Sequence, residues 1–201
     1  MTKTNNTLNL FFLIKIILFY FILTLKCYPE NSIVLGPDEA KIKIKVFSSF
    51  TCPHCAHFHN NVIPKIKKEY IDAGKVQIIF IDFPLDQAAF NASKSLHCLG
   101  KEKQIDFLDT VYETQSKWTN GSNIEDINKN LKKIVENLGI SSTTFNKCLI
   151  DEGISDKILN GRIEANQKYS VNSTPTIVIN EKKLEGSVSF KNIKKKIEKL
   201  I

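Results

Sequence analysis

The chain has 201 residues, 42% of them hydrophobic, and 28 basic against 21 acidic side chains give a net charge of +7. That length suits one domain with an embellishment and supplies enough apolar residues for a core. Arg162 is the single arginine among the basic residues. Base and phosphate readout favours guanidinium forks, and no basic patch is interleaved with aromatics, so the pattern speaks against nucleic-acid binding.

The N-terminus reads as a targeting segment. Lys3 supplies positive charge, and Ile16–Leu25 is a ten-residue apolar core that Leu10–Ile14 extends upstream across Lys15. Such a core matches a signal-peptide h-region and is short for a membrane span. The exit, Thr24-Leu25-Lys26-Cys27, offers no small-x-small cleavage site. Residues 1–27 therefore read as a signal peptide or an uncleaved N-terminal anchor, with Cys27 in or beside it. Export implies a compartment that permits disulfides.

Beyond it, residues 41–50 read as a strand and 53–73 as a helix. In that helix Phe58, Val62, Ile66 and Tyr70 recur at four-residue spacing, and Pro64 predicts a kink. Residues 75–83 read as a second strand. Amphipathic helices are predicted near 86–99, 102–116, 123–138, 142–150 and 153–170, punctuated by Gly100, Asn120-Gly121, Gly139 and Gly153, with Ser141 as an N-cap. Strands at 176–180 and 182–188 follow, joined by a tight turn. A last helix at 190–200 carries Phe190, Ile193, Ile197 and Leu200 on one face and lysines opposite, which predicts packing on a sheet. The order gives an α/β fold, a βαβ half and a ββα half with helices inserted between them.

The chemistry concentrates in two segments. Cys52-Pro53-His54-Cys55 ends the first strand and opens the first helix. Pro53 suits the first helical turn, where its missing N–H would have had no partner. Cys52 then sits at a helix N-terminus, where unpaired amides and the positive dipole end stabilise a thiolate. His54 adds a proton-bearing ring beside the sulfur. A stabilised thiolate favours the reduced form and makes the disulfide the better oxidant. Cys55, one turn on and facing inward, is placed to close a disulfide with Cys52. The alternative for such a pair is half a zinc site, with His57 and His59 nearby. Structural zinc usually draws its second ligand pair from a separate spaced segment, and the sequence has neither a second Cys-x-x-Cys nor a His-x3-His. His57 and His59 accordingly read as helix-surface residues, with no metal and no cofactor.

The chain resembles the DsbA-like thiol:disulfide oxidoreductases from about Val34 to its C-terminus. The resemblance is carried by Leu35–Lys41 before the first strand, Cys52–Cys55 with its Pro53-His54 dipeptide, Gly74–Leu85 around the second strand, and Thr174-Pro175-Thr176 before the run to Asn180. It implies a thioredoxin-like fold with an inserted helical domain. The thioredoxin-like halves would be 34–85 and 171–201, and the insertion 86–170. It also implies a cis bond before Pro175, lying against the active-site sulfurs, with the Thr174 backbone pairing an extended substrate segment as an added strand. A plain trans turn before a strand is the alternative reading of Pro175. Two positions depart from the family pattern. Val46 stands where relatives often carry a buried acid six residues before the first cysteine. Thr174 matches the related isomerases, whereas the best-known oxidases have Val there.

Cys98 and Cys148 remain, both in the predicted insertion. In an oxidising compartment a bridge between them would close a loop of about fifty residues and contribute about 3–4 kcal/mol. Some relatives carry a second disulfide; the alternative is two buried thiols. The expected function is oxidation of reduced exported polypeptides in the periplasm by a monomer. A quinone-linked membrane oxidase, implied by the relatives, would reoxidise it. A disulfide isomerase or reductase is the rival enzyme, and a thioredoxin-like chaperone without turnover is the rival binding module.

Overall fold

A computed structural model describes residues 32–201. The segment expected to be a signal or anchor at 1–27 lies outside the described residues. The sheet has five strands: β1 (Ile33–Leu35), β2 (Ile42–Ser48), β3 (Val76–Asp82), β4 (Thr176–Ile179) and β5 (Lys182–Lys183), in the order β1-β3-β2-β4-β5. β2 and β3 are parallel, with Ile44 opposite Ile78 and Ser48 opposite Asp82; β4 runs antiparallel to β2. β3 lies inside the sheet and is buried continuously from Val76 to Phe80, as expected of a strand covered on both faces. β2 alternates, with Ile42, Ile44 and Val46 buried and Lys43 and Lys45 half-buried. Burying each of these aliphatic side chains contributes about 1.5–3 kcal/mol.

Two elements differ from the sequence expectation. β1 pairs antiparallel with β3, Ile33 opposite Phe80, and its three residues are too short for an alternating pattern to reveal. β5 has two residues, not the seven expected at 182–188. After Lys183 only the Leu184 amide bonds back, to the Ile177 carbonyl, before the chain leaves at Gly186 with φ +83°.

The predicted helix at 53–73 is broken into pieces. α1 (Pro53–Asn61) ends at Val62, α2 (Ile63–Ile66) follows, and Lys67–Ile71 is a π-helical turn. Pro64 has no N–H to give to the turn before it, which explains a break there. Between β3 and β4 lie α3 (Gln87–His97), α4 (Lys101–Glu113), α5 (Gln115–Trp118), α6 (Ile124–Asn137), α7 (Ser142–Leu149) and α8 (Glu152–Tyr169); α9 (Phe190–Ile197) closes the chain. Side-chain caps start several of them. Asp86 accepts from the Ala89 amide, Asn123 from Asp126, Ser141 from Thr144, Asp151 from Ile154, and Ser189 from Asn192. Each such cap satisfies an amide otherwise left without a partner, a contribution of about 1 kcal/mol.

The inserted helices share a core with the sheet. Leu96, Phe107, Val111 and Tyr112 of α3 and α4 lie in one apolar cluster with Ile44, Ile78 and Phe58. Phe50, just after β2, packs edge-on against Phe107 at 5.8 Å and tilted against Tyr112 at 5.3 Å. On the opposite sheet face, Phe47 and Val178 meet Phe83, Ala165 of α8 and Val171. The insertion is thereby packed directly onto the segment that carries Cys52.

Candidate active site

Cys52 is the N-cap of α1, in extended geometry (φ −78°, ψ 117°), and Pro53 opens the helix. The Cys52 carbonyl accepts the amides of Cys55 (3.0 Å) and Ala56 (3.1 Å), while its own amide donates to Ser49. Both cysteines are free thiols here, and both are buried. Pro53 and His54 face solvent on the outside of the turn. The Thr174–Pro175 peptide is cis, and the Cys52 thiol donates to the Thr174 carbonyl at 3.3 Å. Cys52, Cys55, Thr174 and Pro175 thus meet at one end of the sheet, where β2 ends and β4 begins.

The two sulfurs differ in environment. Cys55 is 1% exposed, and burial pushes its thiol up to about 12. A backbone hydrogen bond at Ser49 offsets part of that rise, and negative charge on Cys52 would add to it. The Thr174 hydroxyl is buried and completes no hydrogen bond of normal geometry among the described residues, yet lies close enough to Cys55 to oppose the rise. Val46, six residues before Cys52, is 1% exposed in the apolar core. Burial also holds the Tyr112 phenol well above its usual value, and negative charge on Cys55 would push it further.

His57 is exposed, but His59 corrects the expectation of a surface residue. It is 8% exposed, lies tilted against Tyr112 with ring centroids 4.8 Å apart, and meets Asp109 through Nε2 at 2.7 Å. The helical spacing from Cys55 to His59 puts both on the inner face of α1, and α4 covers that face. Among the described residues no group of three His, Cys, Asp or Glu side chains is placed to hold a metal. Cys98, the C-cap of α3, is joined to Cys148 of α7, with 6.2 Å between their Cα atoms.

Sequence reasoning did not identify three partners of the turn that carries Cys52. Gln115 donates to the Phe50 and Cys52 carbonyls, Asp86 accepts from the Thr51 hydroxyl, and the Ser49 hydroxyl accepts from the Leu85 amide. They lie 35 or more positions in sequence from the residues they contact, and no local pattern marks them. The one available signal was Asp86 itself, a helix-capping residue type at the start of a predicted helix.

A dithiol at a strand-to-helix turn, facing a cis-proline loop in a mixed five-stranded sheet, defines a thioredoxin-fold redox protein. The Thioredoxin family matches residues 29–199, so the chain belongs to that family. Within it, the chain is similar to alpha-DsbA1 of Wolbachia pipientis, with 34% identity and a TM-score of 0.78 over 89% of this chain and 94% of that one. It is similar to oxidised BdbD of Bacillus subtilis at 25% identity and a TM-score of 0.74, covering 86% and 94% of the two chains. Disulfide bond formation protein D of Bacillus subtilis is 28% identical over 83% of this chain and 75% of its own length. A Rickettsia bellii protein assigned as a protein-disulfide oxidoreductase is 28% identical over 86% of this chain, which spans 65% of that relative. The chain is a DsbA-like thiol:disulfide oxidoreductase of the thioredoxin superfamily.

Proposed function

We propose that the protein introduces disulfide bonds into exported polypeptides through Cys52 and Cys55. The observation that carries this reading is the asymmetry of the two sulfurs. Cys55 is enclosed and held as a thiol, while Cys52 caps a helix beside the Thr174 carbonyl. In the oxidised protein a substrate thiolate attacks the Cys52 sulfur. A new sulfur–sulfur bond forms, the Cys52–Cys55 bond breaks, and Cys55 leaves with the electron pair and takes up a proton. A second substrate thiolate then attacks the substrate sulfur of the mixed disulfide and releases Cys52. The substrate loses two electrons and the protein gains them.

The other groups have supporting roles. Amides at the α1 N-terminus, with Pro53 in its first turn, stabilise the departing Cys52 thiolate. His54 offers a ring on the solvent side of the turn. Thr174 and Pro175 present backbone to an extended substrate chain. The Cys98–Cys148 bridge braces the helical insertion, taken as 86–170 between thioredoxin-like halves at 34–85 and 171–201. The partners are reduced polypeptides in the periplasm and a quinone-linked membrane oxidase that restores the disulfide; the enzyme works as a monomer without a metal or cofactor. Export or N-terminal anchoring rests on residues 1–27. No helix among the described residues is long and apolar enough to cross a membrane.

The test is single-turnover oxidation of a dithiol peptide by the oxidised protein. Rapid peptide oxidation with one equivalent of Cys52/Cys55 dithiol formed is expected, and Cys52→Ser should abolish it. In the reduced Cys55→Ser protein, reaction with an activated peptide disulfide should stop at a mixed disulfide on Cys52. Slow peptide oxidation together with efficient unscrambling of mispaired disulfides would overturn the oxidase reading in favour of an isomerase.

A further inference from the structure

The turn Ser49–Cys52 is gripped from outside by two side chains of the helical insertion. Gln115, the first residue of α5, donates from one amide nitrogen to the Phe50 carbonyl at 2.7 Å and the Cys52 carbonyl at 3.1 Å. Asp86, the N-cap of α3, accepts from the Thr51 hydroxyl at 2.6 Å through one oxygen and from the Ala89 amide at 2.7 Å through the other. The Cys52 carbonyl already accepts two helix amides, so the Gln115 contact adds a third donor to the residue that bears the reacting sulfur. The turn therefore meets the positive end of a neutral amide dipole at its Phe50 and Cys52 carbonyls and a carboxylate at its Thr51 hydroxyl.

We propose that Gln115 and Asp86 are positioning residues that set the redox poise of the Cys52–Cys55 pair in opposite senses. The proposal rests on the reading of Cys52 as the reacting sulfur. Gln115 withdraws electron density from the Cys52 carbonyl and fixes the turn so that the α1 amides point at the sulfur. Both effects favour the thiolate, hence the reduced state, and make the disulfide more oxidising. The Asp86 carboxylate, one hydrogen-bonded residue away, repels negative charge on Cys52 and makes the disulfide less oxidising. The helical insertion thus tunes the site as well as covering it. Two of its helix starts do this: the first residue of a four-residue helix and the cap of an eleven-residue one.

Equilibration of the full chain with glutathione at fixed pH, followed by acid trapping and mass analysis, tests the proposal. Gln115→Glu keeps the side-chain shape but turns a carboxylate toward two carbonyl oxygens and adds charge beside Cys52. It should make the disulfide less oxidising by about fivefold or more in the equilibrium constant. Gln115→Met, which loses the donors without adding charge, should move the constant the same way by less. Asp86→Asn, whose Oδ1 still caps α3 while its Nδ2 donates to the Thr51 hydroxyl where the carboxylate accepted from it, should make the disulfide more oxidising by about threefold. Thermal melting of each variant separates poise from stability. Opposite shifts at the two positions, unrelated to the order of melting temperatures, support the proposal. If the unaltered chain equilibrates through Cys52 and Cys55 while all three variants stay within about twofold of it, the proposal fails and the oxidoreductase reading stands. If the unaltered chain forms no Cys52–Cys55 bridge, that reading fails and the proposal falls with it. Should the Gln115 variants not fold, the Asp86→Asn shift decides the matter, because Asn preserves the cap.

Discussion

The Cys52 sulfur lies 3.3 Å from the carbonyl oxygen of Thr174, 122 residues away along the chain. The contact joins two distant parts of the sheet, since β2 leads into the first residue and the loop before β4 carries the second. Under the proposed function, a substrate chain pairing with the Thr174 backbone would be brought to the Cys52 sulfur.

The difference between the two cysteines predicts their reactivity. With the reduced protein near neutral pH, iodoacetamide should modify Cys52 and leave Cys55 intact. A thiol pushed up to about 12 carries almost no thiolate there, and Cys55 is also enclosed. The rates should differ by about a hundredfold or more. Residual Cys55 labelling should rise with pH, because its thiolate fraction grows about tenfold per pH unit below its midpoint. Peptide mapping after timed alkylation measures both; equal rates would refute the asymmetry.

The insertion bridge predicts a stability effect separate from the chemistry. Cys98 and Cys148 are 50 positions apart, and opening the loop between them restores freedom to the unfolded chain. Replacing both with Ala should cost about 3–4 kcal/mol in the chain-entropy account. Denaturant titration under non-reducing conditions reads the loss directly. An unchanged midpoint and slope would show that the bridge does not brace the fold.

A charged cluster ties β2, α8 and the β4–β5 turn together. Lys45 reaches Glu181 at 2.5 Å and the Tyr169 hydroxyl at 2.7 Å, and Lys168 reaches Glu181 at 3.1 Å. Burial alone would raise the Glu181 carboxyl, but hydrogen bonds from Lys45, Tyr169 and Lys168 outweigh it and bring it down to about 2. A carboxyl held low when folded contributes stability that is fully present above its unfolded value near 4.5 and is lost as pH falls toward about 2. More than half of the Glu181 side chain is exposed, so screening limits the contribution to about 1 kcal/mol or less. Glu181→Gln should therefore lower stability slightly at pH 7 and leave it unchanged at pH 2. Chemical denaturation at the two pH values checks the sign, and an equal loss at both would exclude the ionic origin.

Much of this architecture was legible in the chain, for identifiable reasons. The switch from strand to helix at Cys52–Cys55 shows as a change from alternating to four-residue spacing, and Pro53 marks the first helical turn. The helices of the insertion announce themselves through capping side chains and glycine breaks. What stayed hidden was decided by tertiary contact. β1 exists because β3 offers an edge to Ile33–Leu35, and β5 stops at Lys183 although the local sequence would extend it. His59 looks like any helix-surface residue until α4 covers it. Gln115 is one polar residue among many until its amide is seen against the Cys52 carbonyl.

The last prediction concerns the Thr174 hydroxyl. It is buried and makes no normal hydrogen bond among the described residues, so it carries a desolvation cost without full return. Valine has nearly the same shape and no polar atom. Thr174→Val should therefore leave the fold intact and stabilise the reduced protein by up to about 1 kcal/mol. The same hydroxyl opposes part of the rise in the Cys55 thiol, so its loss should hold that thiol still more firmly in the protonated form. Closing the active-site disulfide requires Cys55 to give up its proton and attack the mixed disulfide on Cys52. In the variant that ring-closing step should slow at neutral pH and recover as the solution is made more alkaline, while the first attack by Cys52 on oxidised glutathione keeps its rate. Stopped-flow mixing with oxidised glutathione separates the two, because the first is second-order in glutathione and protein and the other is unimolecular. A slower first step with an unaltered closing step would show that Thr174 acts on Cys52 instead, through the carbonyl that already touches it.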